Sequence, residues 1–448
     1  MQSKNNMGKF YIESLGCAKN QVDSEVLLHT LQAKGWTYVG QAEAADLIIV
    51  NSCGFIQPAK EESIETVLSF REAYPDKKVL LAGCFAQRYG NELSSQLPEA
   101  DGIFGNHDLR QIAVVSQQVM QGQRPVALPD WQYSPAYRSE LFSFPGSAYV
   151  KISEGCNHRC SFCAIPLIRG PLKSIPIEDI LRQIRELLQR GVVEINLIAQ
   201  DLAAYGSERG NPEFPLLLRK ISELSGDFWI RLLYIHPDNF PIEILSIMKD
   251  DPRIIPYFDI PFQHAAKRVL RRMGRSGTAA EYLRLIDRIR GELPAAVIRS
   301  TLMVGFPGEG PREFKELQKF QQDARFDWAG VFVFSREEGT RAFSMRSTFG
   351  DRLIAGRAQA RKNVLEELQT RISSEQMDRF VDRSLRVLVE EKVAEESMAL
   401  GRAYLHAPEV DGTAIILSDS LAPGSWTDMR VVKRNNFDLE VVPQNELV

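Results

Sequence analysis

The feature that most constrains the fold is a repeated alternation of short apolar runs and amphipathic stretches, which predict strands and helices respectively. In the first part of the chain the predicted strands are Phe10–Ser14, Leu47–Val50, Val79–Ala82 and Gly102–Phe104, and the predicted helices are Asp23–Ala33, Lys60–Ala73 and Arg88–Leu97. Such alternation is typical of parallel sheets with right-handed crossovers. We therefore expect a Rossmann-like parallel α/β domain over residues 8–120.

The alternation resumes after residue 146. The strands predicted there are Ala148–Ser153, Glu194–Ala199, Trp229–Ile235, Tyr257–Ile260, Val297–Val304 and Gly330–Phe334. A full eight-unit barrel needs about 250 residues, whereas only about 190 are available here. Six βα units predict an open, partial TIM-type barrel, which ends with a long helical stretch from Asp351 to Phe380. We place this domain at 147–380.

Two segments differ from this pattern. Residues 121–146 are rich in Pro, Tyr and Ser, which predicts an interdomain linker. Residues 381–448 contain the runs LRVLVEE, TAIIL and MRVVKR, separated by Gly, Pro and Asp. Short strands between such turns indicate a small OB-like β-barrel.

Three of the six cysteines, Cys156, Cys160 and Cys163, form a C-x₃-C-x₂-C cluster directly after a predicted strand. A structural zinc site would need four ligands, whereas three thiolates on an iron–sulfur cluster leave one iron open. Soft sulfur ligands select iron–sulfur clusters, zinc or cuprous copper. A zinc knuckle with His158 as fourth ligand is the main alternative, and a disulfide is a weaker one.

The other three cysteines each follow a predicted strand of the first domain, with Cys17 after the first, Cys53 after the second and Cys84 after the third. A lone cysteine is usually a small buried hydrophobe. Three at equivalent strand ends, where parallel sheets bind ligands, predict a second metal cluster. Asn20 and Asn51 are candidates to hydrogen-bond sulfides or substrate, or to cap turns.

The overall composition excludes several classes of protein. No apolar run approaches the roughly 20 residues that span a membrane, and the N-terminus has no apolar region of a secretory signal. We expect a cytoplasmic protein with reduced thiols. The net charge of −4 is not the basic signature of a nucleic-acid-binding chain.

The C-x₃-C-x₂-C spacing resembles the radical S-adenosylmethionine (SAM) signature. With the other cysteines, the whole chain resembles the radical-SAM methylthiotransferase family, whose members have an N-terminal three-cysteine domain, a radical-SAM domain and a C-terminal TRAM barrel. Several segments resemble its RimO branch. They are SLGCAKNQVDSE (Ser14–Glu25), NSCGFIQPAKEESIE (Asn51–Glu65), YFDIPFQHAA (Tyr257–Ala266), FSREEGT (Phe334–Thr340) and GRAYLHAPEVDG (Gly401–Gly412).

This resemblance implies methylthiolation of an aspartate β-carbon in small-subunit ribosomal protein S-twelve, whereas the sister branches MiaB and MtaB modify an adenosine in transfer RNA. It implies two 4Fe–4S clusters, one on Cys156, Cys160 and Cys163 and a second on Cys17, Cys53 and Cys84. SAM would be both radical source and methyl donor. A flavodoxin-like or other low-potential reductant and a sulfur donor would be partners.

The resemblance also implies SAM contacts. Phe162 would pack near the adenine, Glu194 would meet the SAM amino group, and Arg231 would lie on the third strand of the barrel. Gly305 and Glu309 belong to the stretch MVGFPGE, which would lie along the adenine.

One position departs from the family. Ile175 stands where an arginine is usual, so we expect any SAM-carboxylate contact of that arginine to come from Arg169 or Lys173.

The charge of the C-terminal module discriminates between the protein and RNA substrates. From Asp382 onward it has seven basic and twelve acidic side chains, a net −5. Since phosphate contacts dominate nucleic-acid affinity, this module suits a basic protein better than RNA, although the charges could also serve solubility.

The same module has features that keep an RNA contact open. Three aromatic side chains are candidates for stacking on bases, although packing is their commoner role, and three basic residues form a small basic spot. The aromatic residues are Tyr404, Trp426 and Phe437, and the basic residues are Arg430, Lys433 and Arg434. The alternatives are a transfer-RNA methylthiotransferase, a non-catalytic iron–sulfur protein associated with RNA or the ribosome, and a structural zinc protein.

Overall fold

A computed structural model describes residues 7–135, 137–345 and 351–444, with side chains from residue 356 in the last range. Positions 136, 346–350 and 445–448 of the expected linker, barrel domain and C-terminal domain lie outside the described residues. The chain divides into two compact units. The first unit comprises Met1–Phe142, Ser153–Asp179 and Ser335–Phe343, and the second comprises Ser143–Ile152, Ile180–Phe334 and Ser344–Val448.

The first unit contains a six-stranded parallel sheet. Its strands are β1 (Lys9–Ser14), β2 (Thr37–Tyr38), β3 (Leu47–Ser52), β4 (Lys78–Gly83), β5 (Gly102–Phe104) and β6 (Val126–Ala127), and its helices are α1 (Ala18–Ala33), α2 (Gln57–Ala73), α3 (Cys84–Gln96) and α4 (Ile112–Met120). The strand order is β2-β1-β3-β4-β5-β6, and all neighbours are parallel. The direction of winding reverses between β1 and β3, the point where such sheets bind ligands.

Both faces of this sheet are covered by apolar side chains. On one face, Leu47 and Ile49 pack with Leu27 and Leu31 of α1. On the other face, Ile48 and Val50 and their neighbours pack with α2 and α3. Because successive residues of a strand point to opposite faces, a strand buried on both sides becomes the continuous apolar run LIIV.

The chain enters the second unit with β7 (Ser147–Lys151) and returns to the first unit with β8 (Ser153–Glu154), α5 (Ile165–Ile168) and β9 (Lys173–Ser174). The rest of the second unit begins with an open βα sheet. Its elements are α6 (Ile177–Gln189), β10 (Glu194–Ile198), α7 (Phe214–Ser222), β11 (Trp229–Leu233), α8 (Ile244–Asp250), β12 (Ile254–Asp259), α9 (Lys267–Met273), α10 (Ala279–Glu292), β13 (Val297–Val304), α11 (Pro311–Ala324), β14 (Trp328–Val333) and α12 (Asp351–Met377). Its six strands lie in the order β14-β13-β12-β11-β10-β7, all parallel, which confirms the predicted open barrel.

A closed barrel of five strands follows, which confirms the small β-barrel. Its strands are β15 (Ser384–Lys392), β16 (Ala399–Ala403), β17 (Ala414–Ile416), β18 (Trp426–Asn435) and β19 (Asp438–Pro443). This small barrel packs against the edge where the strands of the open sheet begin. The indole Nε1 of Trp328, the first residue of β14, donates to the Leu405 carbonyl at 2.7 Å, and the rings of Trp229 and Trp426 meet edge to face at 5.0 Å.

Three helices of the first unit begin earlier than the sequence predicted. Helix α1 begins at Ala18 rather than Asp23, α2 at Gln57 rather than Lys60, and α3 at Cys84 rather than Arg88. The first turn of α1 has polar residues that are buried, among them Lys19 and Asn20, so its apolar periodicity is weak. Among the described residues no helix is both long enough and apolar enough to cross a membrane.

Candidate functional site

Three cysteines lie at the ends of three adjacent strands in the first unit. Cys17 follows β1 and is the N-cap residue of α1, Cys53 directly follows β3, and Cys84 follows β4 as the first residue of α3. Because β1, β3 and β4 are neighbours, the fold gathers the three thiols at one edge. Two of them stand at helix N-termini, which favour the thiolate.

Glycines allow these three loops to approach one another. Gly16 has a positive φ of 91°, and a Cβ on it would lie 2.8 Å from the Cβ of Cys53. A Cβ on Gly54 would lie 2.7 Å from the Cα of Phe85. Any larger residue at these positions would push the cysteine loops apart.

The side chain of Asn20 joins the same three strand ends. Its Nδ2 donates to the carbonyls of Leu15 at 3.0 Å and Ser52 at 2.8 Å, and its Oδ1 accepts from the Cys84 thiol at 3.2 Å. Asn51 donates to the Asn20 carbonyl at 2.8 Å. The two asparagines therefore hold the loops together.

The three thiols have different electrostatic surroundings. Burial alone would raise the pKa of Cys17, but the charges of Lys19 and Arg169 and nearby backbone N–H groups bring that pKa below its ordinary value. Burial raises the pKa of Cys53, and it raises the pKa of Cys84 to about 12. Cys17 is exposed, Cys53 half-buried and Cys84 buried, so the set opens to solvent on the Cys17 side.

The cysteines of the C-x₃-C-x₂-C motif occupy the loop between β8 and α5. The Cys156 N–H donates to the Gly170 carbonyl at 3.1 Å, and the Cys163 N–H donates to the Cys160 carbonyl at 3.2 Å. All three thiols are half-buried and line an open cavity of about 700 Å³, together with residues 339–341. Phe162 is also half-buried.

The structure brings the two cysteine sets together within the first unit. Cys84 packs against Ala164 and Ile168 of the segment that begins with Cys163. The His107 Nε2 bonds the Ile168 carbonyl at 2.9 Å. The two sets therefore lie on adjoining elements, although the sequence separates them by more than 70 residues.

Arg169 lies at the junction of the two sets and is 3% exposed. Its Nη2 donates to the Cys84 thiol at 3.1 Å and to the Asp23 carboxylate at 3.0 Å, and its Nη1 donates to the Glu154 carboxylate at 2.8 Å. Lys173 lies over the Trp131 ring at 4.1 Å. The side chains that could replace the arginine absent at Ile175 therefore have other partners.

Each donor set consists of three thiols, the ligand type that holds iron–sulfur clusters. In the described ranges no three His, Cys, Asp or Glu side chains converge on a point that a single metal ion could occupy. The three thiolates that hold a 4Fe–4S cluster bind different iron atoms and need not converge on one point. Two hydrogen-bond donors, Arg169 and Asn106, already point at Cys84.

Glu194 and Arg231, two residues expected to contact SAM, lie in a buried ion-pair network. Glu194 is the first residue of β10, at the edge where strands begin, and Arg231 and Arg402 both donate to its carboxylate, at 2.8 and 2.6 Å. Arg402 also donates to Glu390 at 2.6 Å. Ligands of parallel barrels bind at the opposite, C-terminal edge, so Glu194 and Arg231 form a buried network with the small barrel.

Gly305 and Glu309 do lie at the C-terminal end of a strand, β13. The Gly305 N–H donates to the Glu309 carboxylate at 2.6 Å, and Arg361 donates to it at 2.7 Å. Burial raises the pKa of Glu309, and His264 Nε2 lies 4.0 Å away. Glu309 therefore shapes the turn that carries Gly305.

Sequence reasoning missed the role of Glu337 in the motif FSREEGT. This carboxylate is 1% exposed and accepts from Lys60 at 3.0 Å and from Arg88 at 2.9 Å. These two ion pairs connect residues 335–343 to helices α2 and α3 of the three-cysteine domain. The signal available in the sequence was two adjacent acids beside a predicted strand, without a visible partner.

The three aromatic residues of the small barrel considered above all have partners in the second unit, although Phe437 is 37% exposed. Trp426 packs on Trp229, and Phe437 meets Trp328 at 6.3 Å. Tyr404 donates to the Ala295 carbonyl at 3.0 Å.

Each residue of the small basic spot has an acidic partner. The pairs are Arg430 with Asp382, Lys433 with Glu440, and Arg434 with Asp378. Among the described residues of the barrel, seven acidic and four basic residues are exposed, so acids are in excess. The exposed acids are Asp382, Glu391, Glu395, Glu396, Glu409, Asp419 and Asp428.

Three family models match parts of the chain. Residues 9–105 match the uncharacterized protein family UPF0004, residues 150–320 match the radical SAM superfamily, and residues 381–443 match the TRAM domain.

Several proteins resemble the chain over almost its whole length. The ribosomal protein uS12 methylthiotransferase RimO of Treponema denticola is 43% identical, over 95% of this chain and 99% of that protein. The proteins of the same name from Syntrophomonas wolfei and Thermotoga maritima are 39% and 38% identical, over 95% and 96% of this chain and 98% of each relative.

Solved structures share the fold at low identity. The radical SAM methyltransferase TsrM of Kitasatospora setae superposes with a TM-score of 0.55 at 13% identity, over 73% of each chain. The cobalamin-dependent radical SAM enzyme OxsB superposes with a TM-score of 0.51 at 11% identity, over 76% of this chain and 55% of that one.

Proposed function

The chain belongs to the RimO family of ribosomal protein uS12 methylthiotransferases, and from this premise we propose that it attaches a methylthio group to the β-carbon of an aspartate in uS12. The observation that carries the proposal is the adjacency of two three-cysteine sets in one unit. Radical-SAM chemistry and sulfur insertion require two sulfur-ligated centres close to one substrate atom, and these sets adjoin across α3 and α5.

Radical SAM enzymes use a 4Fe–4S cluster and SAM. We propose that Cys156, Cys160 and Cys163 hold that cluster, and that a second 4Fe–4S cluster is held by Cys17, Cys53 and Cys84. When bound, these groups supply hydrogen abstraction from the aspartate carbon, the sulfur atom and, from SAM, the methyl group.

The chain's own residues position these groups and control access to them. Gly16 and Gly54 let the three loops of the second set converge, and Asn20 holds them in register. We propose Phe162 as one SAM contact. Gly305 and Glu309, in the turn after β13, are further candidates. The open cavity beside the radical-SAM cysteines leaves room for a cluster.

The acidic exterior of the TRAM barrel supports a basic protein substrate, and the pairing of its basic residues with acids argues against a phosphate-binding face. We propose uS12 as the partner, with a flavodoxin-like or other low-potential reductant and a sulfur donor. The site of action would be the cytoplasm, where ribosomal proteins are made.

The test is a mass-spectrometric turnover assay. The protein is reconstituted anaerobically with iron and sulfide and given SAM and a reductant, with a peptide that contains the target aspartate of uS12 in one tube and unmodified transfer RNA in another. We expect a methylthio mass gain on the peptide alone. A gain on the transfer RNA alone would overturn the proposal in favour of the RNA-modifying branch.

Two variants assign the steps. Cys160→Ala should abolish SAM cleavage to 5′-deoxyadenosine. Cys84→Ala should retain SAM cleavage but lose the methylthio product. If Cys84→Ala still formed the product, the second cysteine set would not be the sulfur-transferring centre.

A further inference from the structure

Arg169 belongs to the segment that carries the radical-SAM cysteines, six residues after Cys163, yet its guanidinium lies among side chains of the three-cysteine domain. Its Nη2 donates to the Oδ1 of Asn20 at 2.8 Å, to Asp23 at 3.0 Å and to the Cys84 thiol at 3.1 Å. The side chain of Arg169 therefore contacts a proposed ligand of one cluster, while its backbone directly follows helix α5, which comes after the cysteines of the other cluster.

The contact is of a kind that tunes a cluster. Hydrogen bonds to ligand sulfur atoms withdraw electron density from them and raise the reduction potential of the cluster. Cys84 accepts two such bonds, from Arg169 at 3.1 Å and from the Asn106 Nδ2 at 3.3 Å. Of these two donors, Arg169 carries the positive charge.

The surrounding charges make this cation necessary. Asp23 is 1% exposed and Glu154 is 8% exposed, and both carboxylates bond the same guanidinium. Without Arg169, the two buried carboxylates would lose the guanidinium that both of them bond beside Cys84, and breaking a buried ion pair in this way is strongly unfavourable.

The geometry also requires an arginine. The planar fork of a guanidinium can donate in several directions at once, whereas a lysine ammonium offers one compact charge. Nη1 bonds Glu154 while Nη2 bonds Asp23 and Cys84.

We propose that Arg169 is a positioning residue that orients Cys84 and supplies the positive charge that sets the reduction potential of the cluster on Cys17, Cys53 and Cys84. This inference rests on the proposed function, because it requires that the second cluster exists. It also couples the two cysteine sets, since the residue that orients Cys84 is attached to the end of helix α5, which follows the radical-SAM cysteines.

The test isolates the second cluster in the full-length chain. Replacing the three radical-SAM cysteines with Ala leaves one cluster, whose iron content and midpoint potential are measured after anaerobic reconstitution, the potential by a titration followed by electron paramagnetic resonance. Arg169→Gln and Arg169→Lys are compared in this background. The matched control is Arg138→Gln, which removes an equally buried guanidinium that bonds Glu25 on the same helix α1, at 2.8 Å.

We expect Arg169→Gln to shift the midpoint potential to a more negative value or to lose the cluster, Arg169→Lys to shift it less, and Arg138→Gln to match the parent. An Arg169→Gln chain with about four irons and the parent potential would overturn the inference. Equal cluster loss in Arg138→Gln would also overturn it, because general packing would then explain the effect. If the parent chain bound no cluster at all, the second cluster itself would be refuted, a separate failure from that of Arg169.

Discussion

Replacing Glu194 by Ala should destabilise the protein without weakening SAM binding. The Glu194 carboxylate accepts from Arg231 at 2.8 and 3.0 Å, from Arg402 at 2.6 Å and from the Ser147 hydroxyl at 2.8 Å. Removing it leaves two fully buried guanidiniums, and breaking such a pair costs about 3–5 kcal/mol. Arg402 keeps Glu390 at 2.6 Å, so we expect a loss near the lower end of this range.

At about 2–4 °C per kcal/mol for a domain of 150–250 residues, a loss of about 3 kcal/mol lowers the Tm by roughly 6–12 °C. The assay is thermal unfolding followed by circular dichroism, paired with SAM titration calorimetry on the reconstituted chain. Glu391→Ala is the control. It removes an exposed acid of the small barrel, next to Glu390, and should change neither quantity. An unchanged Tm with weaker SAM binding would refute this reasoning and restore Glu194 to the SAM site.

The pH dependence of the same network has a defined sign. Burial alone would raise the pKa of Glu194, but Arg402 and Arg231 outweigh it and hold that pKa well below its ordinary value. A depressed folded-state pKa gives stability that is complete above the unfolded pKa, about 4.3, and is lost as the pH falls further. The Tm difference between the parent and Glu194→Gln should therefore be constant from pH 7 to about 5 and shrink below about 4.3. A difference that grew on acidification would contradict this.

Three further outcomes are expected. Gly54→Ala places a methyl group 2.7 Å from a backbone atom and should remove the second cluster while the radical-SAM cluster stays. Gly40→Ala, which meets nothing within 4 Å, should keep both clusters by iron analysis. Glu337→Gln should make residues 335–343 exchange backbone hydrogen faster, as measured by mass spectrometry, because Lys60 and Arg88 lose their carboxylate partner. An unchanged rate would rule out this connection. Charge reversal of exposed Glu395 and Glu396 to Lys should lower kcat/KM for intact uS12 several-fold at low salt and much less at high salt, whereas a loss independent of salt would point to another cause.

The sequence predicted the placement of the cysteines well for a physical reason. In a parallel α/β sheet each strand end returns to the same edge, so the alternation alone places Cys17, Cys53 and Cys84 together. The alternation could not reveal which side chain would link these three cysteines to the radical-SAM cysteines. Arg169 meets Cys84 across 85 residues of sequence, and no local pattern contains that contact.

Glu194 illustrates the converse. Its position near a family motif suggested a SAM contact, but a side chain's partner depends on which domain covers it. That partner, Arg402, lies 208 residues away. Strand β19 was not predicted, because DLEVVP (Asp438–Pro443) begins with Asp and ends with Pro, two residues that are depleted in strands. Its pairing with β18 determines its structure.

The contacts between the small barrel and the open sheet determine how the protein responds when the barrel is removed or replaced. Several side chains at the start of the open sheet have their partners in the barrel, among them Arg231 with the Tyr404 carbonyl and Tyr257 with Asp411. Truncation of the chain before Ser384 would expose to water the charged groups Glu194 and Arg231, which are fully buried in the intact protein. A chimaera with a relative's barrel should keep the stability of this network only if the graft carries a cation that replaces Arg402 beside Glu194, so the C-terminal module is structurally part of the domain against which it packs.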